Sequence, residues 1–275
     1  MTITLVLERT SVSTYTTLWR EDVGAFCQAV AEAGFTSIEV LAAPPEVDLE
    51  DVAAASGRLN RAVRSTGLTV TSVVPSGVDV NLASVQAGVR AWSREQFRRT
   101  AHLAALLGAP AMVVHPGRRH PLRPPPVDVL VGHVRDGLTD VVDVARREGV
   151  QVLLENVPTG LLDTGAECLA LTDDVEGLGL VYDVANGHMV EDVGVALRLL
   201  GRRLQLVHLS DTRRDRWLHD PVGSGDVPWG AVLAALDDVG YGGPLVLETL
   251  HEQPGATGFL RDLEHLSHPS ARARA

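Results

Sequence analysis

A single-domain α/β fold, a closed (β/α)8 TIM barrel, is predicted by three features of this sequence. Strand-like and helix-like segments alternate from end to end, the βα units number eight, and several strand-like runs end in a polar residue with ligand chemistry. A length of 275 residues agrees with this, since such barrels typically take about 250. An open doubly wound sheet is the alternative; the count of eight and the polar strand ends favour closure. The barrel is expected over residues 1–252, and 253–275 reads as a C-terminal extension, partly frayed and ending in HPSARARA.

ITLVL opens the chain as a strand, followed by DVGAFCQAVAEAG at helical spacing with Gly34 closing it. SIEVL is the next strand, and Asp48 to Ser65 reads as a helix ended by Gly67. LTVTSVVP is a strand, Asn81 to Leu107 a long helix stopped by Gly108, and AMVVHPG a strand running into a turn. After the Pro-rich stretch RRHPLRPPP, Val127 to Glu148 is helical. Then come VQVLLENV, a helix from Gly165 to Glu176, LGLVYDV, a helix around Asp192 to Leu200, and LQLVHLSD. A long loop, a helix from Trp229 to Val239 and the strand PLVLET complete the series.

Composition narrows the function. Hydrophobic residues make up 45% of the chain and aromatics only 4%, so the core must be built from Val, Leu and Ala. No apolar run approaches the ~18 residues of a membrane span, and the N-terminus lacks the pattern of a signal peptide. The net charge of -11, with no basic stripe, disfavours nucleic acid as a partner. Every cationic aliphatic side chain is Arg; the absence of Lys excludes a lysine Schiff base. Cys27 and Cys168 sit in helical patterns without a CxxC and read as buried thiols in a reducing, cytoplasmic setting. No GxGxxG, P-loop or GxSxG supports a dinucleotide, nucleotide or serine-hydrolase reading.

Four apolar runs in the second half end in metal-type ligands: Glu155 in VLLEN, Asp183 in LVYDVAN, His208 in LVHLSD and Glu248 in LVLET. A parallel barrel places all strand C-termini on one face, so these residues converge despite their separation in sequence. Three carboxylates and one imidazole without a thiolate suit one divalent cation, Mn2+ ahead of Mg2+, Co2+ or Zn2+. Glu155 or Glu248 alone could be a structural salt-bridge partner of an Arg; with Asp183 and His208 beside them the metal site is the favoured reading.

At this point the chain resembles the xylose isomerase-like TIM barrel superfamily, within it the sugar phosphate isomerase/epimerase family, related to hydroxypyruvate isomerases, inosose dehydratases and isomerases, ketose 3-epimerases and endonuclease IV. The resemblance rests on GFTSIEVL, VVHPG, LLENVP, YDVAN, LVHLSDT and GSGDVPWGAVLAALDDVGYGGPLVLE. It implies one cation held by Glu155, Asp183, His208 and Glu248, with Glu155 and Glu248 as the proton-transfer pair. It also implies a homodimer as the starting expectation. Asn186 and Trp217 stand where endonuclease IV-like members carry metal ligands, and TSVVPSG lacks their histidine, so a trinuclear zinc centre is not expected.

The expected reaction is isomerisation or epimerisation of a small polyhydroxylated carbonyl compound, a sugar, sugar acid or cyclitol, by proton transfer through a metal-stabilised enediolate. A metal-dependent dehydratase or lyase acting on a cyclitol, keto-acid or biosynthetic intermediate is the alternative; a nuclease and a non-catalytic barrel rank below it. Substrate contacts are expected from His115, His219, Asn186, Glu39, Trp217 and Arg213. Each has a plainer reading: a rim or solvated histidine, a turn cap, a salt bridge, rim packing, a solvated loop charge. Gly223 and Gly225 are expected to shape a turn whose N–H groups face the pocket. The partner is thus a small molecule, with neither nucleic acid nor membrane.

Overall fold

The computed structural model describes residues 7–77 and 79–268. Its strands are β1 Thr10–Ser13, β2 Ser37–Ala42, β3 Thr69–Pro75, β4 Ala111–Val114, β5 Gln151–Glu155, β6 Leu178–Asp183, β7 Leu204–Leu209, β8 Asp211–Arg213, β9 Arg216–Asp220 and β10 Leu245–Leu247. Eight of them, all parallel neighbours, close into a barrel in the order β1-β10-β7-β6-β5-β4-β3-β2. Helices follow the strands and form the outer shell, among them Val23–Glu32, Val52–Thr66, Ala87–Leu107, Val127–Arg147, Gly165–Asp174, Val193–Leu200 and Trp229–Asp238. Gly67 and Gly108 end two of these helices at φ 73 and 71, a left-handed conformation that costs glycine nothing. Among the described residues no helix is long and apolar enough to cross a membrane.

Two apolar layers hold this arrangement. The larger lies between sheet and helices and includes Phe26, Phe97, Leu103, Leu138 and Phe259. The smaller fills the barrel interior with Val74, Ala111, Val113, Leu153, Val181, Leu206 and Val246, which explains how so few aromatic residues suffice.

The expected opening strand ITLVL falls mainly on residues 1–6, outside the described residues, and Leu7 is helical. The barrel's first strand is instead TSVS, which pairs with both β10 and β2. Its buried Ser11 hydroxyl is hydrogen-bonded to those of Ser37 and Thr71 on the next two strands, so hydroxyls replace the apolar pattern that marks the other strands. The long helix begins at Ala87 rather than Asn81, because the Asn81 side chain is engaged in a turn, accepting from the Ala83 and Arg118 N–H groups. The loop after β7 contains the antiparallel hairpin β8–β9. In the segment 253–275, Thr257–Ser267 forms a helix whose Phe259 packs edge-on against Phe26 and Phe35, at centroid distances of 6.1 and 6.4 Å. That helix completes the shell.

Candidate metal centre and active site

Side chains alternate along a strand, so an inward-facing residue recurs every second position. Two residues beyond the interior apolar layer, Leu153 leads to Glu155, Val181 to Asp183, Leu206 to His208, Val246 to Glu248 and Val113 to His115. The first four come from β5, β6, β7 and the end of β10, which are consecutive around the barrel. Asp183 and His208 are direct cross-strand partners, and the Glu248 N–H continues the ladder to the Leu209 carbonyl at 3.1 Å. One ligand atom from each of Glu155, Asp183, His208 and Glu248 falls within 4.8 Å of the others, and all four residues are buried.

Each ligand is held from behind. Glu155 Oε1 lies 2.8 Å from His208 Nδ1, and its Oε2 lies 2.9 Å from His115 Nε2. Glu248 Oε2 lies 3.3 Å from His219 Nδ1 and 3.6 Å from His208 Nδ1. The Asp183 backbone is clamped by Asn156, whose side chain accepts from the Asp183 N–H at 2.9 Å and donates to its carbonyl at 3.1 Å. Asp183 Oδ1 caps the short helix Val184–His188 through the Asn186 N–H, while Oδ2 is buried with no hydrogen-bond partner. An unpartnered carboxylate oxygen in an apolar setting is costly. Asp183 is grouped with two further carboxylates and an imidazole, a donor set that fits a divalent cation.

The electrostatics agree. Burial, the largest cause, pushes the Asp183 carboxyl up, with the charges of Glu155 and Glu248 adding to it against the pull of His219 and His208, and its pKa is raised to about 7. Burial alone would lower His219, but the hydrogen bond and charge of Glu248 raise it to about 9. His208 is likewise held well above the usual imidazole value by Glu39, Glu155 and Glu248 against its burial. Glu155, despite burial, is held well below the carboxylate range by His208 and His115.

The direction of these shifts gives an expected pH response for the metal-stripped protein. Both Asp183 and His219 keep a proton in the fold that the unfolded chain releases at lower pH, so their stabilising contributions disappear as pH rises, through about 7 and about 9 respectively. The Tm of chelator-treated protein is therefore expected to fall steadily from about pH 5 to about pH 9. A divalent cation replaces those protons, so its apparent affinity is expected to climb over the same range. A Tm that is flat or rising across this window would contradict the assignment.

Above the ligands lies a cavity of about 180 Å³ lined by Tyr15, Leu18, Leu41, His115, Trp217 and His219, among others. His115 and His219 both belong to this lining. Asn186 and Trp217 also line it, but they bond each other, the indole N–H donating to Asn186 Oδ1 at 2.8 Å. Glu39 does not reach the cavity; it is fully buried beneath the site against His208 and Ser72. Arg213 is exposed, turned to the Ser224 carbonyl and not part of the cavity lining. The Gly223–Gly225 turn faces Asp211 instead of the pocket. The Asp211 carboxylate accepts from the Thr212, Gly223 and Val227 N–H groups and the Trp229 indole, and a β-carbon on Gly225 would collide with it. Sequence reasoning missed Tyr15, Arg118 and Asn156; of these only Asn156, adjacent to Glu155, had a local signal.

With this geometry established, comparisons with known proteins are informative. A family model described as Xylose isomerase-like TIM barrel matches residues 27–268. A D-psicose 3-epimerase of Agrobacterium fabrum is 27% identical over 252 residues, covering 87% of this chain and 83% of that protein. A probable endonuclease 4 of Mycobacterium tuberculosis is 30% identical over 200 residues, covering 66% of this chain and 75% of that protein. A D-tagatose 3-epimerase-like protein of known structure superposes with a TM-score of 0.81 at 20% identity, over 95% of this chain and 98% of that one. The closed barrel, the buried ligand set at its strand ends and the family match over most of the chain agree, and the protein belongs to the xylose isomerase-like TIM barrel family.

Proposed function

We propose that this protein isomerises or epimerises a small polyhydroxylated carbonyl compound, of sugar, sugar-acid or cyclitol type, using one divalent cation held by Glu155, Asp183, His208 and Glu248. It is an enzyme of the sugar isomerase and epimerase type, as its epimerase relatives indicate. The observation that carries the reading is the buried four-residue cluster, together with an Asp183 Oδ2 that is buried without a hydrogen-bond partner. When bound, the cation, Mn2+ in first place, supplies Lewis acidity toward the substrate's oxygens.

The protein's own residues supply the rest. Glu155 on β5 and Glu248 after β10 stand at the two ends of a four-strand arc, separated by β6 and β7, so their carboxylates approach the cavity from two sides. Each has a histidine on its Oε2, His115 for Glu155 and His219 for Glu248, which holds the carboxylate oriented for accepting a carbon-bound proton. Tyr15 and Trp217 flank His219 on the cavity wall, at centroid distances of 6.1 and 6.2 Å. The buried free thiols Cys27 and Cys168 suit a cytoplasmic setting.

Incubating the Mn2+-loaded protein with ketoses, keto-acids and inososes in D2O tests the reading. Deuterium wash-in at one carbon without loss of water is the expected result. Wash-in accompanied by loss of water and a new enone or keto-acid absorbance would move the assignment to a dehydratase. No exchange on any member of the panel would count against proton-transfer chemistry.

A further inference from the structure

His208 is held between two kinds of carboxylate. Its Nδ1 faces the ligand cluster, 2.8 Å from Glu155 Oε1 and 3.6 Å from Glu248 Oε2. Its Nε2 faces the other way, 3.0 Å from Glu39 Oε2. That same Glu39 oxygen accepts the Ser72 hydroxyl at 2.7 Å. Glu39 and His208 are both 0% exposed, and Glu39 Oε1 has no hydrogen-bond partner. The alternation that aims the ligands aims these groups as well: Glu39 and Ser72 are each two residues before an inward-facing Leu41 or Val74, one layer below the cavity.

Fold stability does not account for this carboxylate. A buried carboxyl group with one oxygen unpartnered is expensive, and an apolar side chain of similar volume serves a barrel interior better. Substrate cannot account for it either, since Glu39 does not line the cavity. The Glu39 oxygen that accepts the Ser72 hydroxyl is an acceptor for the ring as well, so the imidazole nitrogen it touches is the N–H donor. We propose that Glu39 is a positioning residue: it fixes His208 as the Nε2–H tautomer with the Nδ1 lone pair presented to the divalent cation, and Ser72 fixes Glu39 in turn. A carboxylate behind a metal-binding histidine is a general means of fixing ring orientation and basicity. This proposal rests on reading Glu155, Asp183, His208 and Glu248 as the cation site.

The test uses Zn2+ as a diamagnetic probe and does not depend on substrate. Long-range proton–nitrogen correlation spectra of the Zn2+-loaded wild type are expected to show His208 bound through Nδ1, with a protonated Nε2 whose proton resonates far downfield. Competition with a chromophoric chelator is expected to show Zn2+ affinity lowered by roughly 10–100-fold in Glu39→Leu. Glu39→Gln is expected to lose less, because its amide carbonyl still accepts from Nε2–H. Coordination through Nε2 in the wild type, or unchanged affinity in a folded Glu39→Leu, would overturn the proposal. Should Glu39→Leu fail to fold, Glu39→Gln decides: an upfield shift of the Nε2 proton with weaker Zn2+ binding supports the role, and a wild-type resonance with wild-type affinity refutes it. A wild type that takes up no Zn2+ would overturn the cation site itself, a failure distinct from one confined to Glu39.

Discussion

Asp183→Asn is expected to weaken divalent-cation binding by more than roughly a hundredfold, beyond what the loss of an outer-sphere partner costs, while making the metal-stripped protein more stable. The two effects have one origin. Asp183 is buried, its Oδ2 has no partner, and its pKa is raised to about 7, so at higher pH the metal-free fold carries a charge it cannot solvate. Asparagine removes that charge yet keeps a side-chain oxygen to cap the Asn186 N–H, so the helix Val184–His188 stays in place. Chelator-treated variant and wild type, melted at about pH 8, are expected to differ by several degrees in the variant's favour, at about 2–4 °C for each kcal/mol relieved. Elemental analysis and chelator competition measure the other half. A variant that keeps wild-type metal affinity, or that melts below the wild type, would remove Asp183 from the ligand set.

The second large effect concerns the two glutamates. Glu155→Gln and Glu248→Gln, each assayed at saturating Mn2+, are expected to lose net turnover by about 10²–10⁴-fold, the usual contribution of a positioned general base. Because the two carboxylates enter the cavity from opposite ends of the β5–β6–β7–β10 arc, the losses are expected to be asymmetric. Each variant keeps solvent deuterium exchange from the epimer whose proton faces the surviving glutamate and loses it from the other. Equal loss from both epimers in one variant, with little change in the second, would mean that one carboxylate serves both faces. Full exchange in both variants would place the base elsewhere in the cavity, where His115, His219 and Tyr15 are further lining residues.

Much of this site was legible before any fold was known, for a local reason. Glu155, Asp183, His208 and Glu248 each terminate an apolar, β-branched or Leu-rich run, and in a parallel barrel strand ends share one face. The period of two then says which residues point inward, and it applies equally to His115. The same reasoning misjudged Glu39, which obeys the alternation but lies a layer too deep for substrate. It misjudged Arg213 and Gly223 because their directions are set by the β8–β9 hairpin and by Asp211, neither of which leaves an apolar pattern.

By itself, the sequence determined the strand and helix alternation, the four strand-end residues with their donor chemistry, and the lack of any lysine for a Schiff base. These follow from the periodicity and identity of neighbouring residues. Only the tertiary structure decided that TSVS is the first barrel strand, that Asn156 clamps Asp183, that His115 and His219 each take one glutamate, and that Glu39 meets His208 across 169 residues. Such pairings depend on strand order, register and depth within the closed barrel, none of which is encoded in any local stretch of chain.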